Sequence, residues 1–158
     1  MLVKTTHQTA SANETERLGM VIGRQLRGGE VIELRSDVGG GKTTLTRGIV
    51  KGAGSDAVVA SPTFTVTKHY QIAEHPTLHG IVHADMYRLQ DPGIIKHELA
   101  DVVDSNTVLI IEWADTVDDV LPDERIVIEL QATGSEQQRN VTITIPNRYD
   151  YIAKELVK

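Results

Sequence analysis

Cysteine is absent from the 158-residue chain, which excludes a disulfide framework, a thiolate metal site and a cysteine nucleophile. Aromatic residues are scarce at 4%, with a single phenylalanine and a single tryptophan. No stretch approaches the roughly 18 apolar residues that a membrane span needs, so no membrane attachment is expected. The opening segment, Met1 to Ala10, is polar, with Lys4, Thr5, Thr6, His7, Gln8 and Thr9. It lacks the apolar core of a secretion signal, and a cytoplasmic location is expected. A basic excess is missing too. The net charge is −6, whereas a chain that grips nucleic acid unaided carries a basic face. Direct, tight RNA or DNA binding is therefore disfavoured.

What is present suits one domain over residues 1–158. Apolar residues make up 40% and there are 13 glycines, together near the usual globular level. No repeat, low-complexity tract or Pro/Gly/Ser-rich linker divides the chain. Ser11-Ala12-Asn13-Glu14 has the form of a helix capping box. Leu18, Val21, Ile22 and Leu26 follow at helical spacing, and Gly28–Gly29 closes the segment. Glu30 to Arg35 alternates as a strand does. Leu45, Ile49 and Val50 mark the apolar face of a second helix. Ala57 to Ala60 reads as a strand, and Thr63–Ile72 with Leu78–Met86 reads as a hairpin broken at Glu74, His75 and Pro76. A turn at Asp91-Pro92-Gly93 precedes a short helix over Ile94–Val103. Val108 to Ile111 is a continuous apolar run, typical of a strand buried on both faces. Arg125–Gln131 and Arg139–Ile145 read as an antiparallel pair around Thr133-Gly134-Ser135, and Asn147 as the cap of a terminal helix. The order implies an α/β fold in three layers, its mixed sheet parallel in the centre and antiparallel at the edges.

Between the first predicted strand and the second helix stands Ser36-Asp37-Val38-Gly39-Gly40-Gly41-Lys42-Thr43. A strand before and a helix behind are the setting a phosphate-binding loop requires. Glycine lets backbone N–H groups turn onto phosphate oxygens, and the helix N-terminus adds its positive end. Val38, Gly39, Gly40, Gly41 and Thr44 would line ATP, Lys42 would reach its β- and γ-phosphates, and the Thr43 hydroxyl would ligate Mg²⁺. Ser36 occupies the position where the usual pattern begins with glycine.

Glu112 ends the apolar run, where a parallel strand finishes beside the phosphate loop. A carboxylate there can hold Mg²⁺ directly or through water. Asp85 and His83 share one face of a strand, about 7 Å apart, and Asp85 could orient the attacking water. His79 and His83 lie about 13 Å apart on the same strand, too far to share one ion. Ser61-Pro62-Thr63 suits a segment that senses the γ-phosphate, a proline turn being the plainer alternative. Trp113, directly after Glu112, is placed near the nucleotide, with core packing as its alternative. Arg88 pairs with a surface acid or meets a partner.

Taken together, these residues resemble the bacterial TsaE family of ATPases in tRNA threonylcarbamoyladenosine synthesis. The resemblance rests on Ser36–Thr44 with Arg47-Gly48, on Ser61-Pro62-Thr63-Phe64-Thr65, on His83-Ala84-Asp85-Met86-Tyr87-Arg88-Leu89 and on Ile110-Ile111-Glu112-Trp113. It covers nearly the whole chain and implies a P-loop NTPase-like fold. It also implies catalytic roles for Lys42, Asp85 and Glu112, a metal site at Thr43 and Glu112, and a nucleotide contact at Arg139. The partners implied are a TsaD-like threonylcarbamoyl transferase and a TsaB-like protein, which hold most of the tRNA.

Two other functions use the same loop. A small-molecule kinase needs an acceptor pocket and usually an arginine-rich lid, and no arginine-rich insertion is visible. A nucleotide-dependent binding module without significant hydrolysis has Ser36 as its only sign. Asn147-Arg148-Tyr149-Asp150 has an Asn-x-x-Asp form, but only residues 151–158 follow, too few for a guanine-reading element.

Overall fold

The computed structural model describes residues 2–37, 39–60, 67–87, 89 and 91–158. Among these, the chain forms β1 (Leu2–Thr9), α1 (Ala12–Gln25), β2 (Val31–Arg35), α2 (Lys42–Gly52), β3 (Thr67–Gln71) and β4 (Gly80–Asp85). It continues with α3 (Gly93–Val102), β5 (Thr107–Glu112), β6 (Ile126–Ala132), β7 (Arg139–Pro146) and α4 (Asp150–Leu156). Short 3-10 segments cover Ala114–Val120 and Asn147–Tyr149. The strands form one sheet in the order β1-β7-β6-β2-β5-β4-β3. β6, β2, β5 and β4 run parallel, while β1 with β7, β7 with β6, and β3 with β4 are antiparallel. This is the mixed sheet expected, parallel in the centre and antiparallel towards both edges.

Strand alternation sorts side chains between two apolar layers. Ile32 and Leu34 of β2, with Val108 and Ile110 of β5, pack against Ile22, Leu45, Ile49 and Ile152 of α1, α2 and α4. Val31, Leu109 and Ile111 point the other way, onto Leu99 of α3 and Val117 of the 3-10 segment. Glu33 also faces that second side. It is buried, and the guanidinium groups of Arg35 (3.1 Å) and Arg125 (3.0 Å) neutralise it. The apolar-polar alternation of β2 thus marks an ion-paired interior face, not a solvent face.

Helices α1 and α2 meet through glycines. A Cβ on Gly48 would lie 2.0 Å from the Glu16 carbonyl oxygen, and one on Gly19 would lie 2.4 Å from that of Leu45. Gly23 and Gly52 make equally close approaches to Ile49 and Met20. The helix that follows the glycine-rich loop is therefore seated backbone to backbone on its neighbour.

Local signals are mostly obeyed. Ser11 Oγ accepts the Glu14 N–H at 3.2 Å, and the Glu14 carboxylate accepts the N–H of Ala10. Helix α1 stops at Gln25, before Gly28 and Gly29, which both take positive φ. Two expectations need correction, and one strand was not expected at all. Residues 57–60 form no strand: Val58 is 92% exposed, and their β-branched side chains find no neighbouring ladder. The Asn147 side chain caps nothing; it opens a 3-10 turn, and its carbonyl accepts the Asp150 N–H. The polar opening segment is strand β1, joined to β7 from Leu2↔Pro146 to Thr9↔Arg139. Among the described residues no helix is long and apolar enough to cross a membrane.

Gly48→Ala tests the helix contact. Alanine favours a helix by about 1 kcal/mol, yet overpacking costs about 1–3 kcal/mol. A net loss of stability is expected, read as a lower urea midpoint at unchanged slope.

Candidate functional site

Ile81, His83 and Asp85 alternate with Val82 and Ala84 along β4, and Val108, Ile110 and Glu112 alternate likewise along β5. The apolar members of the first set join the core under α1 and α2. The polar members therefore reach the same face at the C-terminal strand ends, where Asp85 pairs in register with Glu112. Lys42, first residue of α2, arrives at the same place from the loop. Parallel strands that end together beside a helix N-terminus create such a crevice by topology alone.

Glu112 is 3% exposed and Lys42 8%. Lys42 Nζ stands 3.7 Å from Glu112 Oε1 and donates to the Ser36 carbonyl at 3.1 Å. His83, fully buried, lies with Nε2 2.6 Å from Glu112 Oε2, and its Nδ1 has no partner. Asp85 Oδ1 accepts the Tyr87 N–H at 3.0 Å. Burial pushes the Asp85 carboxyl above the ordinary aspartate range. The Tyr87 bond opposes that shift, the Glu112 charge adds to it, and His83 and Lys42 pull it back.

The loop closes around glycine. Gly41, at φ 97°, caps α2, and Gly39 takes φ 81°. A Cβ on Gly40 would fall 1.6 Å from Ser36 Oγ. The serine at the loop's first position thus occupies the room that the second glycine leaves, its hydroxyl donating to the Asp37 carbonyl at 2.7 Å. Arg139 braces the loop from β7, donating to the carbonyls of Gly40 at 2.9 Å and Gly39 at 3.3 Å. Thr43 and Thr44 are half-buried in the first turn of α2. Trp113 adopts left-handed backbone at φ 56°, its ring 4.7 Å from Lys42 Nζ and 4.9 Å from the Tyr87 ring.

Lys42, Asp85, Glu112 and Trp113 therefore gather at one crevice, Thr43 and Thr44 follow Lys42 in the first turn of α2, and Arg139 braces Gly39 and Gly40 beside it. Val38, the Ser61-Pro62-Thr63 segment and Arg88 lie outside the described residues. The direct His83–Glu112 bond was not legible beforehand; the i, i+2 spacing of His83 and Asp85 is its only sequence trace. A cavity of about 360 Å³ opens on the other side of the loop, beside Asp37, Asp115 and Glu129. With Glu33 these carboxylates outnumber Arg35, the one cation among the described lining residues, which makes this cavity a poorer place for a polyphosphate than the Lys42 side.

Among the described residues no three His, Asp or Glu side chains converge to cage a metal. The oxygen donors at Thr43, Asp85 and Glu112 instead match a hard cation completed by waters and phosphate oxygens, as Mg²⁺ prefers. Asp85 and Glu112 ending side by side also leaves negative charge that a cation would relieve.

The family model for "Threonylcarbamoyl adenosine biosynthesis protein TsaE" matches residues 9–141. The tRNA threonylcarbamoyladenosine biosynthesis protein TsaE of Bacillus subtilis is 31% identical over 149 residues, covering 94% of this chain and 91% of that one. Its namesake from Streptomyces coelicolor is 35% identical over 132 residues, covering 80% and 87%. The crystal structure of YdiB from Bacillus subtilis is 28% identical and superposes with a TM-score of 0.78, covering 99% of this chain and 96% of that one.

The raised Asp85 carboxyl predicts a stability effect. Its ionisation costs the fold nothing below the unfolded value of about 4 and the full amount above the folded value. Asp85→Asn should raise the Tm of the metal-free chain at neutral pH, and the gain should vanish as pH falls below that value.

Proposed function

The chain belongs to the TsaE family, and from that premise we propose that it is an Mg²⁺-dependent ATPase of a tRNA-modifying assembly. The assembly transfers threonylcarbamoyl from its adenylate to N6 of the adenosine next to the anticodon. A TsaD-like transferase and a TsaB-like protein act with it and hold most of the tRNA, in keeping with this chain's net charge of −6. ATP hydrolysis serves the catalytic cycle of that assembly.

The observation that carries this reading is the Lys42–Glu112 pair, a cation and a carboxylate at 3.7 Å on one face of the parallel sheet's C-terminal edge. Lys42 exchanges Glu112 for the β- and γ-phosphates, and the first N–H groups of α2 turn onto the same oxygens. Thr43 and Glu112 would hold Mg²⁺, which when bound draws off charge that builds up on the phosphates. Asp85, half-exposed at the end of β4, accepts a hydrogen bond from water and aims it for in-line attack. Arg139 ties down the Gly39 and Gly40 carbonyls and the Asp37 carbonyl takes the Gly40 N–H, so the loop holds one shape beside the nucleotide. Trp113 presents its ring face beside Lys42 and limits water there.

Two experiments test this. Lys42→Ala should abolish productive ATP binding, while Thr43→Ala should keep some affinity and lose its Mg²⁺-dependent tightening. Calorimetric titration with and without Mg²⁺ measures both, and equal Mg²⁺ dependence in wild type and Thr43→Ala contradicts the assignment. Asp85→Asn and Glu112→Gln preserve shape and remove charge. Each should bind nucleotide yet lose at least about tenfold in turnover, about 1.4 kcal/mol of transition-state stabilisation. Steady-state hydrolysis with both partner proteins and tRNA measures this; wild-type rates in both variants would make the carboxylates structural.

A further inference from the structure

His83 is buried completely in a layer whose other β4 member, Ile81, is apolar. An apolar side chain would pack there without stranding a polar atom, yet the ring leaves Nδ1 without a partner. Such a cost calls for a compensating role. The compensation is the 2.6 Å contact between Nε2 and Glu112 Oε2. A carboxylate only accepts, so Nε2 is the donor in that contact.

The two oxygens of Glu112 are held differently. Oε2 is tied to a ring fixed by packing, whereas Oε1 faces Lys42 at 3.7 Å, beyond hydrogen-bond length. Lys42 can therefore leave for a phosphate while the carboxylate keeps its orientation. We propose that His83 is the positioning residue of this site: its Nε2–H clamps Glu112 Oε2 so that Oε1 stays aimed at the metal position as Lys42 departs. This rests on the reading that Glu112 belongs to an Mg²⁺ site. His83 itself touches neither nucleotide nor metal.

The test is calorimetric titration of the full chain with a non-hydrolysable ATP analogue, in EDTA and in Mg²⁺. Loss of a partner that orients a metal ligand typically costs about tenfold or more in metal affinity. His83→Leu should keep its Mg²⁺-free affinity and lose about tenfold of the Mg²⁺-dependent tightening. His83→Gln places an amide N–H near the Nε2 position and should recover most of it. His83→Asn, whose shorter amide stops near Nδ1, should not. In a Glu112→Gln background, His83→Leu should add no further loss, because the two act as one unit. Wild-type tightening in His83→Leu overturns the proposal, as does an equal additional loss in the Glu112→Gln background. If the leucine variant does not fold, equal tightening in the glutamine and asparagine variants overturns it. A Glu112→Gln chain that tightens with Mg²⁺ like wild type brings down the metal-site reading itself, and this proposal with it.

Discussion

A carboxylate taken almost wholly out of water, as Glu112 is, must be compensated by nearby donors or it neutralises. Lys42 and His83 supply that compensation from two directions, one from a helix start and one from a neighbouring strand. For both to arrive, β4 and β5 must be parallel and in the register that sets Asp85 beside Glu112. Helix α2 must also begin at Lys42, neither earlier nor later. The sheet order and the loop geometry are thus tied to one buried charge.

The opposite face of the sheet meets a matching requirement. Glu33 is buried too, and Arg125 joins it to Asp118 of the 3-10 segment Ala114–Val120. That segment starts one residue after Trp113, so the Glu33 network holds in place the backbone that follows Glu112. On the near side, the glycine contact between α1 and α2 gives Lys42 a base with little room to shift. Charge on one face and backbone packing on the other hold the same strand end.

The glycine-rich turn into α2, β5 and the antiparallel pair of β6 and β7 are legible in the sequence because each has a strong local cause. These are glycines before Gly41-Lys42-Thr43, an unbroken apolar run, and two alternating runs around Gly134. Strand β1 is illegible because an edge strand gains its place from backbone pairing with β7, and its threonines and Lys4 show no apolar alternation. Residues 57–60 mislead for the opposite reason, since β-branched propensity without a neighbouring strand makes no ladder. At the site, Lys42, Asp85 and Glu112 can be placed from motif and strand position. The His83–Glu112 contact cannot, because it depends on how two parallel strands are registered across 29 residues of chain.

The fit between Ser36 and Gly40 couples two positions of the loop. With serine at position 36, any side chain at position 40 collides with its hydroxyl; with glycine there, the closest obstacle left is the Asp37 carbonyl at 2.9 Å. Losing the serine would therefore free position 40 only in part, because a backbone oxygen at 2.9 Å cannot swing aside as a side chain does. A side chain at position 40 would have to reshape the loop backbone, whichever residue stands at 36.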